Sequence, residues 1–459
     1  MKKVLLSLSL ITFSVSAFAQ NSWVDQGINL PVSYYPREIS IVDANTVWTS
    51  VGDGSTAATY PKMISRTTNG GATWTSSTVT GPPTSALVGD IFALDANTAW
   101  IVTAPVSGTT ANGIWKTTNA GTSWTKQTAY SSASFANVIH FWDANEGFSA
   151  GDPTGAGANA KFEILRTTNG GTTWTAVGSA PAPQGGIEYG LTGVKYVSGN
   201  NVWLGTTKGR ILRSTDKGVT WSASSTPALD FGGGAAGGGV DGSSAQMAFK
   251  DGSNGLLITV DGLIDETSTP SVGLYNTVDG GVTWEPVDTS GYYFNNITYV
   301  PGTTNTYVTT GATYYQDAFM GSSFSKDGGL TWTSIDAGLQ RGTVAFLNTT
   351  TGWAGQFSDA PTGGTKGILK FQGDLNLAVS DVNANKLKLS IYPNPATDVI
   401  NLKSSKEIKG VSIVDLSGKI VKQSTGASQI NVSTLAKGNY ILQAINKDGS
   451  VENTKFIKK

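Results

Sequence analysis

Short runs of apolar and β-branched residues, broken by turns of Gly, Asn, Asp and Ser, fill the chain from Trp23 to Phe371 and fit many short strands better than helices. Residues 38–48, Glu-Ile-Ser-Ile-Val-Asp-Ala-Asn-Thr-Val-Trp, set the pattern: an apolar strand, an Asp-Ala-Asn turn, and a second strand that opens on an aromatic. The unit returns at 90–100 and 138–148, and in looser form it ends at Trp203, Leu256, Tyr307 and Trp353. These are seven hairpins, spaced about fifty residues apart.

A second repeat runs out of phase with the first. Its form is [ST]-x-[DN]-x-G-x-[ST]-W, at 67–74, 117–124, 167–174, 214–221, 277–284 and 325–332. Asn69, Asn119, Asn169, Asp216, Asp279 and Asp327 are the residues whose side chains accept backbone N–H groups of their own turn. The glycine two places on supplies a φ > 0 conformation at little cost. Trp74, Trp124, Trp174, Trp221, Trp284 and Trp332 then open the next strand and cover the turn with apolar surface. Hairpin, variable loop, strand, turn and strand make a four-stranded blade, so residues 20–372 predict an all-β, seven-bladed β-propeller. Six turns serve seven hairpins, and after the strand at 367–371 no seventh turn follows. Asn21-Ser22-Trp23-Val24 resembles the strand that follows each turn, and it is expected to complete the last blade and remove an open edge. The long connections, among them 52–62, 229–244, 261–270 and 310–322, then share one face, opposite the six turns; we call it the top.

The six turns resemble the Asp-box, or BNR repeat, of propellers such as sialidases, sortilin-type receptors and photosystem II assembly factors. In that family the box is a structural turn far from the ligand, so the resemblance assigns these residues to folding. A second resemblance covers the C-terminal segment, 388–459, after a polar linker at 373–387. There Tyr-Pro-Asn-Pro-Ala at 392–396, Asp-Leu-Ser-Gly-Lys at 415–419, Leu-Ala-Lys-Gly-Asn-Tyr at 435–440 and the terminal Lys458-Lys459 separate alternating strands. The segment reads as a small β-sandwich and looks like the type A sorting domain of the type IX secretion system. That implies a secreted or outer-cell-surface protein with the type IX machinery as a partner through 388–459.

Charge and composition narrow the classes. Lys and Arg number 31 against 32 Asp and Glu, so no global field recruits nucleic acid or an anionic membrane. Cys is absent, which excludes disulfides and thiolate metal sites; no metal site and no cofactor is expected. Met1-Lys2-Lys3, the apolar run 4–18 and Ala17-Phe18-Ala19 read as a signal peptide, 1–19, cleaved after Ala19. The run is short and serine-interrupted for a bilayer span, and no later stretch is long enough to cross a membrane.

Chemistry is less declared. A sialidase needs three arginines on a carboxylate, a Tyr–Glu nucleophile pair and an Asp acid. Arg66, Arg166 and Arg213 lie on strands next to the turns and read as structural, and no Arg-Ile-Pro motif is present. Glu38 and Asp90 align at the start of adjacent inner strands, which places both near the channel mouth beside Arg341 and makes them the catalytic candidates for a glycoside hydrolase or lyase. Rim acids also simply solvate a channel. Glu188, Tyr189, Tyr293, Tyr314 and Tyr315 are ligand-binding candidates on the loops, together with Arg341; Asp241 and Asp265-Glu266 are further loop acids. His140, the one histidine, sits in an inner strand among apolar residues and reads as packed. The leading reading is a binding module for a glycan or protein ligand on the top face, leaning away from an enzyme. A glycoside hydrolase or lyase, and a scaffold resembling the photosystem assembly propellers, are the alternatives.

Overall fold

The structure is a computed structural model that describes residues 21–459 apart from 56–59, 107–111, 129, 132–133, 186, 233–238, 266, 313–316, 359–366, 377–389, 405–406, 416–418, 427 and 448–450. The expected leader with its cleavage site at Ala19, most of the expected linker, and Tyr314 and Tyr315 lie outside the described residues. The chain divides into two compact units, 1–378 and 379–459.

Among the described residues, the first unit holds seven four-stranded antiparallel sheets. Their innermost strands are Tyr34–Ile41, Ala86–Ala93, Ala136–Phe141, Gly190–Ser198, Ser244–Phe249, Asn296–Tyr299 and Val344–Asn348. Each touches the next in order, and the last touches the first, so the sheets close into a ring around a central channel. We number the blades 1 to 7 by these strands. Blade 7 takes its outermost strand from the other end of the chain: Ser22–Asp25 pairs antiparallel with Ile368–Gln372, Trp23 opposite Phe371. The Trp23 ring meets Phe371 and Phe346 edge-on at 5.4 and 5.9 Å, and its indole N–H donates to Ser322 of blade 6 at 2.8 Å. Packing of this unit runs past Phe371, since Leu375 is fully buried in the same cluster and its N–H donates to Thr349.

Among the described residues no strand ladder runs between blades, although Ser33 N donates to Ser358 O and Ser358 N to Tyr34 O where blade 1 meets blade 7, so side chains carry most of the ring. The aromatic that opens the second strand is fully buried in blades 1, 2, 4 and 7 as Trp48, Trp100, Trp203 and Trp353. Trp100 stacks on Phe141 and Trp203 on Phe249 of the following blade, each at 3.8 Å between ring centres. A cation on the third strand lies over several of these indoles and donates to a turn carbonyl of the next blade: Lys116 over Trp100 to Gly170, Lys370 over Trp353 to Gly70, and Arg66 over Trp48 to Ala96. Arg213 reaches the carbonyls of Gly252 and Asp279, whereas Arg166 pairs with Glu146 of its own blade. The arginines near the turns are thus structural.

The six turns share one hydrogen-bond pattern with two polarities. In the first, Asn69 Oδ1 accepts from Thr73 N at 2.9 Å while Asn69 Nδ2 donates to Thr73 Oγ1 at 2.8 Å. In the fifth, Asp279 Oδ1 accepts Thr283 N at 3.0 Å and Asp279 Oδ2 accepts the Thr283 hydroxyl at 2.6 Å. An amide that donates and a carboxylate that accepts fill the same place because the threonine hydroxyl does either.

The second unit packs the three-stranded sheet of Ser390–Tyr392, Val399–Lys403 and Gln429–Asn431 with a four-stranded sheet of Ile408–Val414, Ile420–Thr425, Gly438–Asn446 and Val451–Lys458. Ile400, Ile413, Leu442 and Phe456 form its core. Asn394 of the Tyr-Pro-Asn-Pro segment ties down the last strand, donating to Lys455 O and accepting from Ile457 N. No helix among the described residues is long and apolar enough to cross a membrane.

Two predictions follow from this architecture. Replacing Trp23 by Ala removes the ring that seals blade 7 and is expected to cost about 3 kcal/mol in chemical denaturation, large for a residue so near the chain end. The Thr283 hydroxyl and N–H hold Asp279 well below the usual carboxylate range; in Asp216 and Asp327 burial opposes ionisation, but the hydrogen bonds of Thr220 and Thr331 outweigh it. A lowered folded-state pKa gives stability that is present above the unfolded value and lost as pH falls, so these turns weaken in acid. The triple variant Asp216→Asn, Asp279→Asn, Asp327→Asn keeps the turn pattern and should show a shallower loss of melting temperature below about pH 4.

Candidate functional site

Six of the seven inner strands, those of blade 1 and of blades 3 to 7, line a cavity of about 350 Å³ in the channel. In blades 1, 2 and 3 the inner strand carries a one-residue bulge, at Arg37, Gly89 and Asn137, which turns the following residue relative to the ladder. Blade 4 departs further: Gly190 pairs with Thr206 and Lys195 with Leu204, so residues 191–194 face the single residue Gly205. Asp152 of blade 3 anchors the start of this excursion by accepting from Gly190 N at 3.0 Å and from the Asn137 amide at 2.8 Å; burial raises its pKa to about 6 against those two bonds.

The excursion carries blade 4 towards blades 1 and 2. Thr192 packs against Gly89, and Gly193 lies under the Glu38 carboxyl, where a Cβ would fall 2.0 Å from Oε1. Gly193 also holds φ +78, so no side chain is accommodated there on either count. Lys195 then crosses to Asp90, with Nζ 2.5 Å from Oδ2. Asp90 is fully buried, and both of its oxygens also accept backbone N–H groups, Oδ1 from Ile91 and Oδ2 from Ile139 of blade 3, each at 2.8 Å.

Glu38 and Asp90 are therefore neighbours, as their alignment implies, but in different settings. Glu38 is half-buried on the cavity wall. Burial, and then the Asp90 charge, push its pKa up to about 8 against the pull of Lys195 and Arg37. Arg341 is paired elsewhere. Its guanidinium is buried against Asp336, with Nη2 2.7 Å from Oδ2, and it also donates to Gln340 O and Gln356. The expectation of an arginine at the carboxylates fails because Arg341 leads into blade 7 from the blade 6 connection and is spent there; Lys195, from an inner strand, takes that place.

The other candidates separate. Glu188 is buried and saturated: Arg210 grips it through Nε at 2.9 Å and Nη2 at 2.5 Å, and Thr206 and Gln184 N donate as well. Tyr189, next to it, is exposed on the top connection. Tyr293 is packed against Gly311 and Gly321, and its hydroxyl donates to Asp336 O at 3.2 Å. His140 faces the cavity in edge contact with Phe92 and Trp142; burial, with Lys195 adding, lowers its pKa to about 3. Among the described residues no group of three or more His, Asp or Glu is placed to hold a metal ion. Sequence reasoning missed Lys195, whose signal is a lysine two residues after Gly193 inside an inner strand, and Arg210, which looks like one more strand arginine.

Residues 390–459 match the family model described as the secretion system C-terminal sorting domain. Such a domain implies export to the cell surface or secretion, through contact with the secretion machinery. No curated protein matches the chain. Among solved structures it is similar to YCF48 bound to D1 peptide, with TM-score 0.52 and 17% identity over 78% of this chain and 98% of that one. YCF48 from Cyanidioschyzon merolae follows at TM-score 0.49 and 15% identity, over 77% and 98% of the two chains. An ancestral GH74 enzyme has TM-score 0.47 and 13% identity over 95% and 63%. At these identities the first likeness supports the propeller fold.

Because its folded-state pKa is raised, Glu38 contributes stability that is full below the unfolded value near 4.5 and is lost as pH climbs through about 8. Glu38→Gln should therefore melt at the wild-type temperature near pH 5 and above it at pH 9, a crossover read directly from thermal denaturation across pH.

Proposed function

We propose that the protein is an exported binding module that takes a protein or peptide ligand on the top-face connections of blades 4 and 5. One observation carries this reading: a run of exposed apolar side chains, Tyr189, Leu229, Val240 and Ile264, on loops that are pinned from below. Thr207 N donates to Tyr189 O, and the adjacent Glu188 is locked by Arg210. Asp230, fully buried, accepts Val240 N, and Gly242 accepts Leu263 N beside Ile264. Side chains on backbone tied down in this way lose little freedom on binding, so their apolar area counts towards affinity. A glycan would call for stacked rings and paired polar groups in their place. In the YCF48 structure a propeller of this fold accompanies a D1 peptide, which is compatible with the reading and no more.

Hydrolysis is the second reading, and Glu38 supports it, since a carboxyl protonated at neutral pH suits a general acid. The carboxylate it would need as partner is Asp90, whose oxygens are engaged by Lys195 and two backbone N–H groups.

A peptide-display selection on the mature full-length chain, run beside a glycan array and polysaccharide hydrolysis assays, separates these. Selected peptides should bind Leu229→Asp/Ile264→Asp at least tenfold more weakly, about 1.4 kcal/mol or more. Glycan binding without peptide binding, or polymer turnover abolished by Glu38→Gln, would remove the reading.

A further inference from the structure

We propose that the central channel is a separate site for a small organic cation, an ammonium or guanidinium group seated on the Glu38 carboxyl. The cavity wall contributes Glu38, with Asp90 directly behind it, and among the described lining residues the one cation is Lys195. Lys195 is committed to Asp90. Among the described residues no cation is thus ion-paired with the Glu38 carboxyl when it ionises, in a channel where ionisation is costly. Among the described residues no donor reaches it.

The rest of the wall offers acceptors rather than charge. Thr298 and Thr343 bring hydroxyls, and Asn296 donates to Gln246 at 3.4 Å while keeping its own carbonyl. His140 lines the cavity as a neutral ring, because burial and Lys195 both oppose its protonation. A group with several directed N–H donors and one positive charge complements this set, whereas a hard metal ion needs more carboxylates than the wall provides. The volume of about 350 Å³ lies at the small end of ligand pockets, which suits a short alkyl chain behind the charge.

Proton linkage supplies the signature. At pH 7 Glu38 holds a proton, with Asp90 favouring that state, Lys195 and Arg37 opposing it and His140 uncharged. A bound cation takes the place of that proton. Binding should therefore release close to one proton at pH 7, and affinity should rise up to tenfold per pH unit until about pH 8 and level off above it.

Calorimetric titration of the full-length mature chain with n-butylammonium and methylguanidinium, in two buffers of different ionisation enthalpy, tests this, with 1-butanol, sodium and magnesium as controls. The expected result is saturable one-site binding of the organic cations with proton release. Glu38→Gln should weaken it at least tenfold and abolish the release while its melting curve shows a folded protein. The Leu229→Asp/Ile264→Asp variant should bind the amines normally, which keeps this site distinct from the top-face reading. Equal binding by Glu38→Gln, equal binding of butanol, binding without proton release, preference for the inorganic ions, or no saturation at millimolar concentration would each overturn the proposal.

Discussion

Each blade is a hydrogen-bonded sheet of its own, and among the described residues no strand ladder joins one blade to the next, so the ring depends mainly on side-chain packing between blades. The constraint that makes a ring of them is the packing of the buried side chain at the start of the second strand, most complete in blade 2, where the Trp100 indole lies between Phe141 of the following blade and Lys116 of its own third strand. The cation does two things at once. It lies on the indole face, and it donates to a carbonyl in the turn of the neighbour. Lateral packing is thereby coupled to the turns, and their side chains are tied up in holding shape. This leaves the opposite face, with its longer connections, as the place where sequence varies without loosening the ring.

Much of the ring is legible in the sequence because repetition reports it twice. The Asp-Ala-Asn hairpins and the turns ending in Trp74 to Trp332 are out of phase, so together they define all four strands of a blade, and the mismatch of six turns against seven hairpins points to Trp23 as the missing piece. Alignment between repeats also brings Glu38 and Asp90 to neighbouring positions. It says nothing about how far a side chain reaches across the axis. Lys195 lies 105 residues from Asp90, and it arrives there only because residues 191–194 leave the ladder, an event set by Asp152 and two glycines rather than by any repeat. Arg341 is misplaced by the same reasoning: its position in the unit is near the channel, but Asp336, five residues earlier, claims it first.

Blade 4 breaks the near-symmetry in a useful way. Seven equivalent inner strands would line the channel with equivalent residues. The excursion in one of them brings a lysine, a glycine and a threonine against blades 1 and 2, concentrating acid, base and histidine on one side of the cavity and leaving hydroxyls and amides from blades 5, 6 and 7 on the other. Binding specificity in a repeat protein needs such an irregular blade, because a symmetric channel has no orientation to offer a ligand.

The pairing of Ser22–Asp25 with Ile368–Gln372 joins segments from the two ends of the propeller. Contacts between residues so far apart in sequence carry a large chain-entropy penalty. Until they form, blade 7 has an unpaired edge and the Phe346 and Phe371 rings lie uncovered. The piece of the propeller that leaves the ribosome first has no partner until residues 368–372 have been made, and in the interval the protein depends on whatever keeps that edge from other strands.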